Sequence, residues 1–277
     1  MKKNLLSLLA LALLAAGCDK IDPDEYIVYD GAVITWRQGT TIANPQQRAY
    51  VEKFTGPQCH NCPDADVTLD EAHSLYGDKL VLVSINHYKG MGTPFPGEPD
   101  MRTDGGTVWD HFYGVNGIPA AFINREKDHT YGSAMPAIKT DIGTVVAQTP
   151  SVAMEVDATA DATGSNVTVQ VNLDFLTTIE EALTVTVALV EDSLRYKQLM
   201  PDGSVVNDYA HNHMLRKVIT GFWGRDVEAD AVAGTQTSGT LTFALPADCQ
   251  KANCHIVAFL SRKASRHVIN SASCTLQ

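Results

Sequence analysis

Two cysteines three positions apart, Cys59 and Cys62, stand in the stretch TGPQCHNCPDADV, behind a Gly-Pro turn and ahead of a periodic segment. A Cys-x-x-Cys pair can be a redox centre, half of a metal site or a structural disulfide, and context separates these uses. Zinc would take two further soft ligands at short spacing, whereas the other cysteines lie far along the chain. Covalent haem attachment needs a histidine directly after the second cysteine, where this chain has Pro63. The redox reading fits better. A cysteine at the first turn of a helix meets unpaired N–H groups and the positive end of the helix dipole, which favour the thiolate over the thiol. The thiolate is the nucleophile, so Cys59, expected to be the more exposed sulfur, would attack a substrate disulfide. Cys62, a turn deeper, would then resolve the mixed disulfide. His60 between them adds positive charge when protonated. An inert disulfide and a metal ligand pair remain the rival readings.

The elements that must hold this pair are legible nearby. Residues Ala49–Phe54 read as a strand, and Ala65, Leu69, Ala72 and Tyr76 recur at helical spacing until Gly77 closes the helix. The run KLVLVSINHY is nearly continuous in apolar residues, as in a strand covered on both faces with a parallel partner. Strand, helix and strand together imply a right-handed crossover. A Gly/Pro-rich loop fills residues 88–106, long enough to be kept for function. TVWDHFYGV reads as a short helix, Pro119 opens the strand in GIPAAFIN, and Ile138, Ile142, Val145 and Val146 mark a last helix that stops at Pro150.

After Pro150 the periodicity changes from helical to alternating, at Val152–Val156, Val167–Phe175, Leu183–Val190, Thr240–Leu245, His255–Ser261 and His267–Thr275. Short strands separated by turn residues imply an antiparallel sandwich of Ig-like type. Residues 191–235 carry no assignable pattern. The expected organisation is a signal segment at 1–17, a tether at 18–46, an α/β domain at 47–149 and an all-β domain at 150–277.

With 277 residues, 44% hydrophobic and 19% charged, the chain has ordinary globular composition and enough length for two cores. Its net charge of −11 and lack of a Lys/Arg-rich run argue against nucleic acid as a partner. The start MKKNLLSLLALALLAAGC has a short basic end, an apolar run and small residues before Cys18, the pattern of an export signal. Ala15-Ala16-Gly17-Cys18 resembles the bacterial lipobox, which implies lipidation of Cys18. The mature protein is then expected to be a soluble body tethered to a membrane, in a compartment where disulfides persist.

Cys59-His60-Asn61-Cys62 at a helix start, a buried strand after it, and Gly117-Ile118-Pro119 opening a later strand together resemble the thioredoxin fold. That resemblance implies a cis-proline at Pro119 facing the disulfide. It also implies a thiolate-stabilising role for His60, as in oxidising members of the superfamily. Two positions depart from it: Gln58 stands where thioredoxins have tryptophan, and Lys53 where they have a buried aspartate. Glu52 is adjacent but should point to the other face of the strand. EKFTGPQCHNCP, joined to a β-rich region containing HNHMLRKVITGFWG, resembles the Omp-twenty-eight-related family of Bacteroidetes outer-membrane lipoproteins. The family implies a thioredoxin-like domain followed by an Ig-like domain, anchored in the outer membrane and facing the periplasm or the cell surface. Protein thiols and disulfides are the expected partners, with no cofactor.

Other residues carry weaker possibilities. His87 could join the cysteine pair as a copper ligand, and His211, His213 and Met214 in HNHM form a set that copper accepts. Alternation along a strand would put both histidines on one face, where a plain polar role is the alternative. Such a copper-delivery function is a third reading, beside thiol-disulfide exchange and a non-enzymatic binding scaffold. Cys254 and Cys274 are expected to bridge across a final hairpin centred on Ala264, with a small Cys249–Cys254 loop as the rival. Hydrolase motifs of the Gly-x-Ser-x-Gly or His-Glu-x-x-His kind are absent from the sequence.

Overall fold

Apolar runs and alternation translate directly into buried and half-buried strands. β1 (Thr35–Gln38) is short and mostly exposed, whereas β2 (Ala49–Thr55) and β3 (Leu80–Asn86) are buried at every residue and pair in parallel, from Ala49 opposite Leu80 to Thr55 opposite Asn86. Between them runs α1 (Cys62–Tyr76), which turns Ala65, Leu69 and Ala72 inward. Pro63 sits in its first turn, where the missing N–H has no helical partner to lose. Gly77 ends it at φ 56°, a backbone region that residues with a Cβ rarely adopt. This is a computed structural model, and it describes residues 31–130 and 135–277. The expected signal segment, Cys18 and the start of the tether lie outside the described residues.

The loop after β3 leads to α2 (Asp104–Tyr113), capped by the Thr103 hydroxyl, which accepts from the Gly106 N–H at 3.0 Å. The helix begins earlier than TVWDHFYGV implied, because this cap fixes its start. β4 (Ala120–Ile123) then pairs antiparallel with β2, β5 (Lys127–Thr130) pairs antiparallel with β4, and α3 (Ile138–Val146) follows. One face of β2, β3 and β4 packs Val51, Leu82 and Ile123 against Leu69 of α1 and Ile138 and Ile142 of α3.

The remainder is strands: β6 (Val152–Ala160), β7 (Asn166–Phe175), β8 (Leu183–Glu191), β9 (Leu194–Leu199), β10 (Val205–His211), β11 (Met214–Val218), β12 (Arg225–Asp226), β13 (Gln236–Ala244), β14 (Cys254–Arg262) and β15 (Val268–Thr275). One antiparallel sheet runs β1-β13-β7-β6. It packs against β15-β14-β8, and the core between them includes Val169, Val171 and Leu173 from one sheet and Val187, Leu189, Ile256 and Ala258 from the other. β9 and β10 form a separate two-stranded hairpin.

The second sheet does not end at β8. It continues through β11 into β3, β2, β4 and β5, so one mixed sheet runs through both halves. The junction is narrow: Met214 pairs in parallel with Ser84, whose N–H donates to the His213 carbonyl at 2.7 Å. β14 has two buried faces in consequence. Ile256, Ala258 and Leu260 enter the sandwich core, while Phe259 faces the other way and stacks on Tyr50 of β2 at 4.3 Å between centroids. Arg125 lies over Phe259 and Trp109, 4.8 Å from each ring, with its guanidinium 2.6 Å from Glu52 Oε1. Among the described residues no helix is long and apolar enough to cross a membrane.

Candidate functional site

β2 runs straight into the cysteine turn. The Cys59 N–H donates to the Gly56 carbonyl at 3.1 Å, and the Cys62 N–H donates to the Cys59 carbonyl at 3.2 Å, which leaves Cys62 as the first residue of α1. Cys59 and Cys62 are joined as a disulfide with Cα atoms 5.4 Å apart. The Ile118–Pro119 peptide is cis, and the Ile118 carbonyl oxygen lies 3.5 Å from Cys59 Sγ. In the disulfide this is a contact, since the sulfur carries no proton to donate. His60 is exposed.

The sequence expectation that Cys59 is the more exposed sulfur is corrected: both cysteines are 1% exposed. Two distant segments close over the turn. From the loop after β3, the Met91 carbonyl accepts from the Gln58 N–H at 3.0 Å, and the Thr93 and Pro94 carbonyls accept from Gln58 Nε2 at 3.0 and 3.2 Å. From β9, the Leu199 N–H donates to the Pro57 carbonyl at 2.8 Å and Gln198 Nε2 donates to the Cys59 carbonyl at 2.9 Å. Gln58 therefore acts as a polar clamp. Gln198 and Leu199 were invisible to sequence reasoning, because they belong to the unassigned segment and act through a long-range contact.

Lys53 and Glu52 point to opposite faces of β2, as alternation requires. Lys53 is buried and pairs with Asp66 of α1, whose other oxygen accepts from Tyr209 of β10 at 3.0 Å. These three residues, with Asp70, Ser84 and His213, line a cavity of about 40 Å³. Burial and the nearby Asp66 charge push the Asp70 carboxyl above its usual range. Glu52 is fully buried and accepts from Arg125, from Tyr50 at 2.8 Å and from Tyr113 at 2.5 Å.

The histidines take positions of their own. His87 Nδ1 lies 2.6 Å from Asp110 Oδ2, both residues buried, so this strand-end ring serves a carboxylate. Burial raises the Asp110 carboxyl against the pull of His87. His211 and His213 do not share a strand face, which corrects the alternation expected for HNHM. β10 ends at His211, and His213 sits in the following turn at φ 57°. The His211 ring stacks on Tyr196 at 3.6 Å, while His213 Nδ1 lies 3.5 Å from Asp192. Desolvation lowers both imidazoles to about 4. Met214 is buried at the junction with β3.

The expected Cys254–Cys274 bridge is also corrected. The hairpin register places Cys274 opposite Ile256, and the Leu276 N–H donates to the Cys254 carbonyl at 3.0 Å, so Cys274 faces a residue two positions beyond Cys254 and the two sulfurs are out of register. Cys254 sits opposite Glu191 on its other flank, and its sulfur, that of Cys249 and a Glu191 carboxylate oxygen lie within 4.8 Å of one another.

Comparison with solved structures gives HBP35 of Porphyromonas gingivalis, at a TM-score of 0.63 and 16% identity, over 85% of this chain and 77% of that one. A protein of Agrobacterium tumefaciens gives a TM-score of 0.49 at 18% identity, covering 83% of this chain and 95% of the other. A domain of the outer membrane lipoprotein Omp28 from Porphyromonas gingivalis gives 0.34 at 19% identity, over 47% of this chain and 91% of that domain. No curated protein matches the chain. The family model described as outer membrane protein Omp28 matches residues 107–277, from within α2 to the C-terminus, and leaves the cysteine turn outside the match. That match takes in more than half of the chain and the whole β-rich half: the chain belongs to the Omp28 family of outer membrane proteins.

Proposed function

We propose that this Omp28-family protein is a lipid-anchored outer-membrane lipoprotein whose Cys59–Cys62 pair exchanges thiols and disulfides with protein partners. Residues 47–149 act as a thioredoxin-like domain and residues 150–277 as an Ig-like sandwich. The observation that carries this reading is the disulfide at the start of α1 with the Ile118 carbonyl, beside cis-Pro119, against Cys59 Sγ. The strand order β3-β2-β4-β5 supports it, with β2 and β3 parallel and β4 and β5 antiparallel, as does the placement of α1 between the first two strands. In the reduced protein Cys59 attacks a substrate disulfide and Cys62 resolves the mixed disulfide. The helix-start dipole stabilises thiolate, and His60 adds to it when protonated. Access requires the segment bearing Met91 and Thr93, or β9, to give way.

The burial of both sulfurs favours a second reading, in which the disulfide is structural and the domain is a binding scaffold. The reduction potential of Cys59–Cys62 separates the two. A value near or above about −200 mV marks an oxidant or isomerase and one near −270 mV a reductant, whereas a value far below −300 mV marks a structural bond and rejects exchange. Insulin reduction no faster than with dithiothreitol alone also favours the scaffold. Copper delivery predicts a stoichiometric Cu(I) complex lost on Cys59→Ala. For the anchor, palmitate labelling should be lost on Cys18→Ser; labelling that survives rejects it.

A further inference from the structure

A second sulfur pair lies apart from the cysteine turn in sequence, in the segment CQKANC. A 3-10 turn at Lys251–Asn253 folds the chain back before β14, bringing Cys249 Sγ close to Cys254 Sγ, beside the Glu191 carboxylate. Cys254 is buried, whereas Cys249 is partly exposed. We propose that Cys249 and Cys254 form a second dithiol-disulfide couple that is oxidised by small organic disulfides.

The surroundings favour sulfur chemistry over a metal. Two thiols and a carboxylate could in principle hold a soft cation. Here, however, the Glu191 carboxylate is already engaged, accepting from the Gln250 N–H at 2.7 Å and from the Arg216 guanidinium. A guanidinium at the site repels a cation and favours a thiolate. The hydrogen bond between the two sulfurs lowers the Cys254 thiol and raises that of Cys249, so the pair retains one proton more readily than two. Cys274 shares neither feature; burial pushes its thiol up to about 11.

The exposed sulfur starts the reaction. Cys249 passes the proton of the sulfur–sulfur hydrogen bond to Cys254 as it bonds to one sulfur of RSSR and expels RS⁻. Cys254 then gives that proton to solvent and attacks Cys249 Sγ, forming the intramolecular disulfide and expelling the second RS⁻. The dithiol loses two electrons and RSSR gains them.

The test uses the full chain carrying Cys59→Ser and Cys62→Ser, so its outcome is separate from that of the proposed exchange centre. Reduced protein is treated with oxidised glutathione, alkylated and mapped by mass. Labelling of Cys249 and Cys254 should fall together by about tenfold or more, with a cross-linked 249–254 peptide, while Cys274 stays labelled. In Cys254→Ser, a glutathione adduct should be trapped on Cys249. Persistent labelling of both thiols, a bond from Cys254 to Cys274, or stoichiometric zinc lost on Cys249→Ser would each overturn the proposal. Should the double variant fail to fold, the same cross-linked peptide is read in the unsubstituted protein.

Discussion

Gln198 on β9 donates its side-chain amide to the carbonyl of Cys59 at 2.9 Å, across 139 residues of chain. The same amide nitrogen reaches the Gly56 carbonyl at 3.4 Å, so one side chain from the β-rich half closes the disulfide turn of the other. A buried hydrogen bond of this kind contributes about 1 kcal/mol net. Gln198→Ala should therefore speed reduction of Cys59–Cys62 by dithiothreitol about fivefold, if opening of this cover limits access. Trapping free thiols over time reads the rate; an unchanged rate removes β9 from the gate.

The loop after β3 supplies the other cover through a close backbone approach. A Cβ on Gly92 would sit 1.9 Å from the His87 carbonyl oxygen, a backbone atom that cannot swing away. Gly92→Ala should thus cost about 1–3 kcal/mol in urea unfolding and loosen the Gln58 clamp. Gly117 has open space where a Cβ would go, so Gly117→Ala should change stability by less than about 0.5 kcal/mol. Equal stability of the two variants would contradict the packing described for this loop.

Glu52 and Arg125 form an ion pair with both side chains almost wholly buried. Removing one partner strands a charge away from water, and Arg125→Ala should lower unfolding free energy by about 3–5 kcal/mol. Replacing both, as Glu52→Leu with Arg125→Met, should cost less than that single change, since no charge is then left behind. Additive losses in a double-mutant cycle would show that the pair is not coupled.

Acid should destabilise the fold partly through His211 and His213. Each has a folded value of about 4, below the ordinary 6.5, because burial disfavours the imidazolium. Asp66 pulls His211 upward and Lys53 pushes it down; for His213 the pull comes from Asp192, and the push from Lys53, His73 and His255. Between the two values the unfolded chain binds the additional proton. Stability contributed by the neutral rings is thus complete above pH 6.5 and declines as pH falls toward 4, by up to about 1.4 kcal/mol per pH unit for each ring. The raised carboxyls of Asp70 and Asp110 act in the opposite direction, so the difference between the native protein and His211→Phe isolates one ring. An identical pH slope in the two proteins would refute the assignment.

Local periodicity determined much of this architecture. The helix at Cys62–Tyr76, the parallel pair β2 and β3, and the strands from Val152 onward follow from spacings of 3.6 and 2 that any nearby partner would satisfy. The cysteine pair was likewise readable, because a motif is local, and the cis position at Pro119 was implied by the resemblance built on it. Three features were decided only in the folded molecule. LTVTVAL alternates apolar with polar or small residues like a half-exposed strand, yet β8 is buried at every residue, because neighbours distant in sequence, such as Gly224 beside Thr186, cover its second face. Cys254 and Cys274 lie out of register because hairpin register depends on turn geometry, which a composition pattern does not encode. Cys59 is buried because Gln198 and Leu199 reach its turn from far along the chain. Such a contact has no local period; it is made where β9, from the β-rich half, lies against the cysteine turn of the other half.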